Sequence, residues 1–295
     1  MNATLIDGNE LASRLRQRAA DRVDQLAGEG TRVRMDAVIV GQPPAGVLFA
    51  RSQQARCGEV GIEYELHTLP AGAGQSEIER TIETLNADPN VTGIMLNLPL
   101  PDEVDTPAVQ YRIDPYKDVE GVNPANIGML FYDCPIIAPC TALAVMEILK
   151  ATGTELRGRH VVVVGQGAVV GRPITLSLMQ QDATVTACNK YTPDLAACTR
   201  QADVLVVAAG VPGLIGGDHI QPGAVVIDVG INRLPVEGSP GQSQTVGDVV
   251  FEEVRQVAGW LTPVPGGVGP VTVAVLLYSV VEAARQQRLG RRIVP

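Results

Sequence analysis

Lysine is scarce in this chain: Lys117, Lys150 and Lys190 stand against twenty arginines in 295 residues, and the first 116 residues contain none. No amine base can come from that stretch, and arginine, which keeps its proton, cannot take its place. Cysteine is also sparse. Cys57, Cys134, Cys140, Cys188 and Cys198 are odd in number and include no CxxC pair, so free thiols are expected rather than a disulfide framework or a zinc site. His67, His160 and His219 lie too far apart in sequence to suggest a metal cluster, and no metal is expected. The net charge of -9 argues against non-specific binding to nucleic acid or anionic membrane, since both need clustered Lys and Arg; local basic sites stay compatible with it. No run of 18 apolar residues occurs, and the opening MNATLIDGNELASRLRQRAA has no apolar core of signal-peptide length. A cytoplasmic protein is the expectation.

What the chain does contain is 45% hydrophobic residues, 31 glycines and 21 prolines, a composition suited to a compact, turn-rich protein. Its length allows two domains, each with its own core. Apolar runs alternate with helical patterns, the signature of α/β folds with parallel sheets and crossover helices. In the first third, strands are expected at 35–40, 63–69 and 92–98, with helices at 47–60 and 75–88. Pro99 and Pro101 stop the third strand, because neither can continue a ladder. A second series begins after a helix at 141–151, with strands at 160–165, 183–188, 203–210 and 224–232. These patterns place a Rossmann-type domain at 140–270 and a first α/β domain at 1–139. An apolar helix at 271–287 follows PVPGGVGP and is expected to return to the first domain, so that 271–295 joins it.

In HVVVVGQGAVVGRP, glycines 165, 167 and 171 fall where a strand turns into a helix. Glycine there lets backbone approach a pyrophosphate, and the helix start offers free N–H groups. The spacing GxGxxxG is one residue longer than the usual fingerprint, and a tight strand-to-helix turn is the alternative. The next strand ends Cys188, Asn189, Lys190, without the acid that holds a ribose 2′-hydroxyl in NAD sites. A lysine there suits a 2′-phosphate, which favours NADP over NAD; a merely solvated lysine is the alternative.

Several motifs together identify a relative. IDG (6–8), NLPLP (97–101), KDVEGVNP (117–124), PCT (139–141), VGRP (170–173), GAVVIDVGINR (223–233), VGDV (246–249) and TPVPGGVGPVTV (262–273) give the chain an almost end-to-end resemblance to the methylenetetrahydrofolate dehydrogenase/cyclohydrolase family. The resemblance implies a folate cleft between two domains, NADP or NAD in the Rossmann domain, and a homodimer. It implies cofactor contacts from Gly165, Gln166, Gly167, Val170, Gly171, Arg172 and Pro173, and from Lys190, Ala209, Gly210 and Ile231. It implies substrate contacts from Phe49, Asn97, Leu98, Pro99 and Glu120, and from Pro265, Gly266 and Gly267.

Four site positions, three of them just named, depart from the family pattern. Where the family carries a tyrosine and, four residues later, a lysine, this helix has Phe49 and Gln53. The family glutamine of QLPLP is Asn97, and the aspartate of KDVDG is Glu120. Gln53, Phe49, Asn97 and Glu120 are thus the candidate catalytic set. Hydride loss from methylenetetrahydrofolate leaves a resonance-stabilised amidinium and demands positioning above all. Hydrolysis of that amidinium needs an activated water, and an amide at 53 cannot accept its proton. Oxidation without appreciable hydrolysis is the expected activity. A repurposed enzyme with another substrate, or a non-catalytic nucleotide- or folate-binding module, are the alternatives. Asp118 is read as structural, Cys140 as a packed thiol rather than a nucleophile, and Asp228 and Asn232 as loop-shaping.

Overall fold

The computed structural model describes residues 2–235 and 242–290. Along the chain run β1 (Thr4–Leu5), α1 (Gly8–Gly28), β2 (Arg34–Val40), α2 (Pro44–Glu59), β3 (Glu63–Leu69), α3 (Gln75–Ala87) and β4 (Gly93–Leu96). Short helices α4 (Thr106–Gln110) and α5 (Pro124–Phe131) precede α6 (Cys140–Ala151). There follow β5 (His160–Val164), α7 (Gly171–Met179), β6 (Thr184–Cys188), α8 (Leu195–Thr199), β7 (Val204–Val207) and β8 (Val225–Asp228). The chain closes with β9 (Asn232–Pro235), β10 (Ser243–Val246), α9 (Phe251–Arg255), β11 (Trp260–Leu261) and α10 (Val268–Arg288).

The result is the expected two-domain α/β protein. One unit comprises Met1–Ser13 with Thr141–Val273, the other Arg14–Cys140 with Ala274–Pro295. The outermost expected domain limits, residue 1 and residues 291–295, lie outside the described residues. The first thirteen residues, expected with the first domain, belong instead to the Rossmann unit. The reason is pairing: Thr4 and Leu5 lie parallel to Trp260 and Leu261, which adds β1 to the edge of that sheet.

The Rossmann unit is built on a six-stranded parallel sheet in the order β1-β11-β8-β7-β5-β6. Residues 161–164 of β5, 204–207 of β7 and 225–227 of β8 are apolar throughout because interior parallel strands are covered on both faces. The strand expected at 224–232 is in fact two. It stops at Asp228, and Asn232–Pro235 leaves the sheet to pair antiparallel with β10.

The other unit carries a three-stranded parallel sheet, β3-β2-β4. β2 is buried along nearly its whole length as the central strand, whereas edge strand β3 is largely accessible. α3 buries Ile78, Ile82 and Leu85, spaced along one helical face. The last carbonyls of a helix have no partner within it and need donors. Lys117 supplies them: fully buried, its Nζ donates to the carbonyls of Leu85, Asn86 and Asp88 at 2.9, 2.8 and 2.7 Å.

α10 is long and apolar enough to cross a membrane by length and composition, yet most of its apolar window is buried inside the protein. Its Ala274–Arg288 portion belongs to the Arg14–Cys140 unit, as expected of a returning helix. There Gln287 donates to the carbonyls of Thr92 and Tyr116, and the Arg18 guanidinium lies 5.4 Å from the centre of the Tyr278 ring.

Lys117→Met keeps the stem and removes the three donors. It should lower unfolding free energy by about 1–3 kcal/mol in urea titration, since buried carbonyls would be left unpaired. Unchanged stability would mean that Lys117 does not hold the end of α3.

Candidate active site

In the Rossmann unit the glycine turn follows β5. Gly165 has φ of 95°, and a side chain on it would run into the carbonyl of Ala208. Gly171 lies as closely against the carbonyl of Gly165, which seats α7 on the turn. Gly167 differs: no heavy atom lies within 4 Å of where its Cβ would be, so its backbone faces open space. Gln166 braces the turn, donating to the Val163 carbonyl and to Thr175 Oγ1 at 3.3 and 3.2 Å. Val170 caps α7, Pro173 is buried in its first turn, and Arg172 beside it is exposed. Gly165 N donates to Cys188 O at 2.9 Å and ties the turn to the end of β6, where Lys190 is exposed.

Ala209 and Gly210 occupy the loop after β7. Both of their N–H groups donate to Asp248 Oδ2, at 2.7 and 2.8 Å, so these expected cofactor contacts are engaged within the protein. Asp248 also accepts from Asn232 Nδ2, and its own N–H donates to Asp228. Asp228 in turn accepts from the N–H groups of Gly230 and Val249. Burial raises the Asp228 carboxyl to about 6, against the pull of those donors. Asp228 and Asn232 therefore shape loops, and Asp248, which VGDV contained without drawing notice, is the hub.

Beyond these loops lies a cavity of about 370 Å³ bounded by Asn9, Asp228, Ile231, Thr245 and the Pro263–Pro270 turn. Pro265, Gly266, Gly267 and Ile231, expected to serve substrate and cofactor separately, line this one space. Gly266, at φ of 104°, accepts at its carbonyl from Gly8 N–H at 2.9 Å.

The other candidate residues sit in the second unit. β2, β3 and β4 are in register, so Tyr64, Met95 and Asn97 share the sheet face opposite Asp36 and Ile94. Phe49 on α2 is 45% exposed, while Gln53, one turn on, is only 4% exposed. Both ends of the Gln53 amide have partners: Tyr64 O–H donates to Oε1 at 3.4 Å, and Nε2 donates to Met95 Sδ at 3.1 Å. Burial raises the Tyr64 phenol and pushes the Cys57 thiol up to about 12, so this layer is poorly hydrated.

Asn97, just past β4, is 3% exposed, and neither its Oδ1 nor its Nδ2 has a partner. Leu98 and Pro99 after it are exposed. Asp118 runs beside Ile94 as a parallel bridge, so the segment bearing Glu120 leaves the sheet next to the one bearing Asn97. Asp118 accepts from the N–H groups of Gly121 and Asn123 and from Asn126 Nδ2, as fits a structural residue. Burial raises the Glu120 carboxyl to about 7, with nearby Asp118 adding to the effect. Cys140 is a buried thiol bonded to Val119 O at 3.2 Å, its ionisation opposed chiefly by burial.

The fold does gather one histidine with acids: ligand atoms of Asp36, Glu65 and His67 lie within 4.8 Å of one another. Arg34 already holds Asp36 at 2.7 Å and Glu65 at 3.0 Å, so a cation is in place without a metal. Sequence reasoning also missed Tyr64 and the partnerless state of Asn97. Strand register was the signal available for the first; nothing local marked the second.

Residues 139–288 match the family model described as "Tetrahydrofolate dehydrogenase/cyclohydrolase, NAD(P)-binding domain", and residues 6–120 match its "catalytic domain" counterpart. The chain is 46% identical over 286 residues to the "Bifunctional protein FolD" of Moorella thermoacetica, with 97% of this chain and 100% of that one covered. The crystal structure of the bifunctional FolD enzyme from Campylobacter jejuni superposes with a TM-score of 0.91 at 38% identity, covering 97% of this chain and 99% of that one. The Trypanosoma brucei enzyme, solved with NADP cofactor and inhibitor, gives a TM-score of 0.91 at 36% identity, covering 98% and 99%.

Glu120 allows a pH test. A carboxyl with folded pKa near 7 and an unfolded value of about 4.3 keeps a proton the unfolded chain has released, so its contribution to stability is lost as pH rises through that window. The melting temperature of Glu120→Gln, relative to the parent, should therefore climb between pH of about 5 and 8. A difference that stays flat with pH would rule out a raised Glu120.

Proposed function

Because the chain belongs to the tetrahydrofolate dehydrogenase/cyclohydrolase family, we propose that it oxidises 5,10-methylenetetrahydrofolate to the 5,10-methenyl form with NADP, and that its cyclohydrolase activity is weak or lost. The observation that carries the second half is the state of Gln53. It stands where the family pattern has lysine, and both ends of its amide are held by Tyr64 and Met95. A homodimer and a cytoplasmic location belong to the same proposal and rest on the family resemblance.

The glycine turn fits a dinucleotide: Gly167 leaves open space where a pyrophosphate would approach, while Gly165 and Gly171 are held against neighbouring carbonyls. Exposed Lys190 at the end of β6 offers a cation to a 2′-phosphate. NADP, when bound, supplies the hydride acceptor. The residues proposed for the substrate have separate tasks. Asn97 presents an acceptor and a donor with no internal partner, which matches a ligand edge that carries both. The half-exposed Phe49 ring offers a stacking face to a flat heterocycle. Glu120 adds an acceptor when ionised and a donor when protonated.

None of these tasks removes a proton from carbon, and oxidation to the amidinium requires none. Hydrolysis does need a base for water. Gln53 has no titratable group, arginine does not serve as a base, and Arg56 is paired with Glu59 at 3.1 Å. The one-methylene changes at Asn97 and Glu120 support a second reading, a substrate other than methylenetetrahydrofolate, because misplacement of about 1 Å can cost 10²-fold in rate.

Purified protein given methylenetetrahydrofolate and NADP should accumulate methenyl absorbance in step with NADPH. Enzymatic disappearance of the methenyl species would refute the loss of hydrolysis, and failure to form NADPH despite NADP binding would favour the second reading. Gln53→Lys should raise hydrolysis by about 10²-fold or more, the usual worth of a positioned base.

A further inference from the structure

The turn after β6 is more tightly held than a solvated loop requires. Tyr191 N donates to Asn189 Oδ1 at 2.9 Å, Asn189 N to Thr192 Oγ1 at 3.0 Å, and Thr192 N to Asn189 O at 3.0 Å. Three hydrogen bonds within four residues fix where residues 190 and 191 leave the backbone. The turn is anchored to the glycine loop through Gly165 N and Cys188 O. At its tip Tyr191 is 78% exposed, and the Lys190 ammonium sits 5.0 Å from the centre of its ring.

Position gives this pair its meaning. Ligands of open parallel sheets lie beyond the carboxyl ends of the strands, and the strand next to the glycine turn is the one whose end meets the adenosine ribose. β6 is that strand, paired with β5 from His160↔Thr184 to Val164↔Cys188. An aromatic ring at such a place can stack on a base, and a cation on its face is held by the ring quadrupole.

We infer that Tyr191 is a specificity-determining residue of the nucleotide site: its open face takes the adenine ring, and its contact with the Lys190 ammonium holds that charge where a 2′-phosphate arrives. The inference rests on the NADP reading of this site. A free lysine surrenders rotamer freedom when it meets a phosphate, and one already seated against a ring surrenders less. Removing the ring therefore withdraws two contributions from NADP, stacking and a held cation, but only stacking from NAD.

The test is calorimetric titration of the full chain with NADP and with NAD. Tyr191→Ala should weaken NADP about tenfold or more and NAD by a smaller factor, whereas Tyr191→Phe, which keeps the ring, should bind both as the parent does. Lys190→Ala should weaken NADP and leave NAD unchanged. Parental affinity for NADP in Tyr191→Ala would overturn the inference while sparing the NADP reading, as would equal losses for the two nucleotides. A parent protein that binds neither, or prefers NAD, overturns both.

Discussion

A parallel strand or helix that stops inside a protein leaves backbone groups that water cannot reach, and this fold depends on how they are satisfied. A few buried charged side chains do it. Lys117 gathers three carbonyls at the end of α3. Asp118 gathers Gly121 N, Asn123 N and Asn126 Nδ2. Asp228 and Asp248 gather the loops after β7 and β8 together with the strand returning from the β9–β10 arm. The loops held by the aspartate hubs carry Glu120, Ile231 and the Ala209–Gly210 pair.

Such hubs divide the ionisable groups by task. Asp118 and Asp228 sit among N–H donors, yet burial still raises their carboxyls, so their role is to organise backbone. Glu120 lies two residues from Asp118 but lacks such a ring of donors among the described residues, and burial raises its carboxyl to about 7. Two acids on one short segment thus differ: Asp118 organises backbone, and Glu120 does not. The difference comes from which backbone amides each can reach.

The two-domain α/β plan was legible because buried parallel strands read as apolar runs with glycine at their ends. The glycine turn was legible for the same reason, since close carbonyl contacts at Gly165 and Gly171 leave no alternative residue. What stayed hidden depended on contacts between distant segments. β1 is two residues long and acquires its place from β11. The 224–232 run looked continuous because Val229 and Ile231 extend the apolar pattern past Asp228, but Asp228 collects the turn and redirects the chain. Nothing near Gln53 in sequence marks its partners; only the register of β3 and β4 shows Tyr64 and Met95 engaging it.

The scarcity of lysine takes on a sharper meaning once its three positions have been placed. Within Arg14–Cys140 and Ala274–Pro295 the sole lysine is Lys117, and its ammonium is enclosed by three carbonyls. His67, the one histidine there, meets Asp36 at 2.7 Å on the sheet face opposite Tyr64 and Met95. No amine or imidazole of that unit is left for the face that Gln53 and Asn97 share. That face presents amides and a phenol whose ionisation burial opposes. On the proposed reading, such a face offers positioning by hydrogen bonds and a stacking ring, and hydride transfer needs little else.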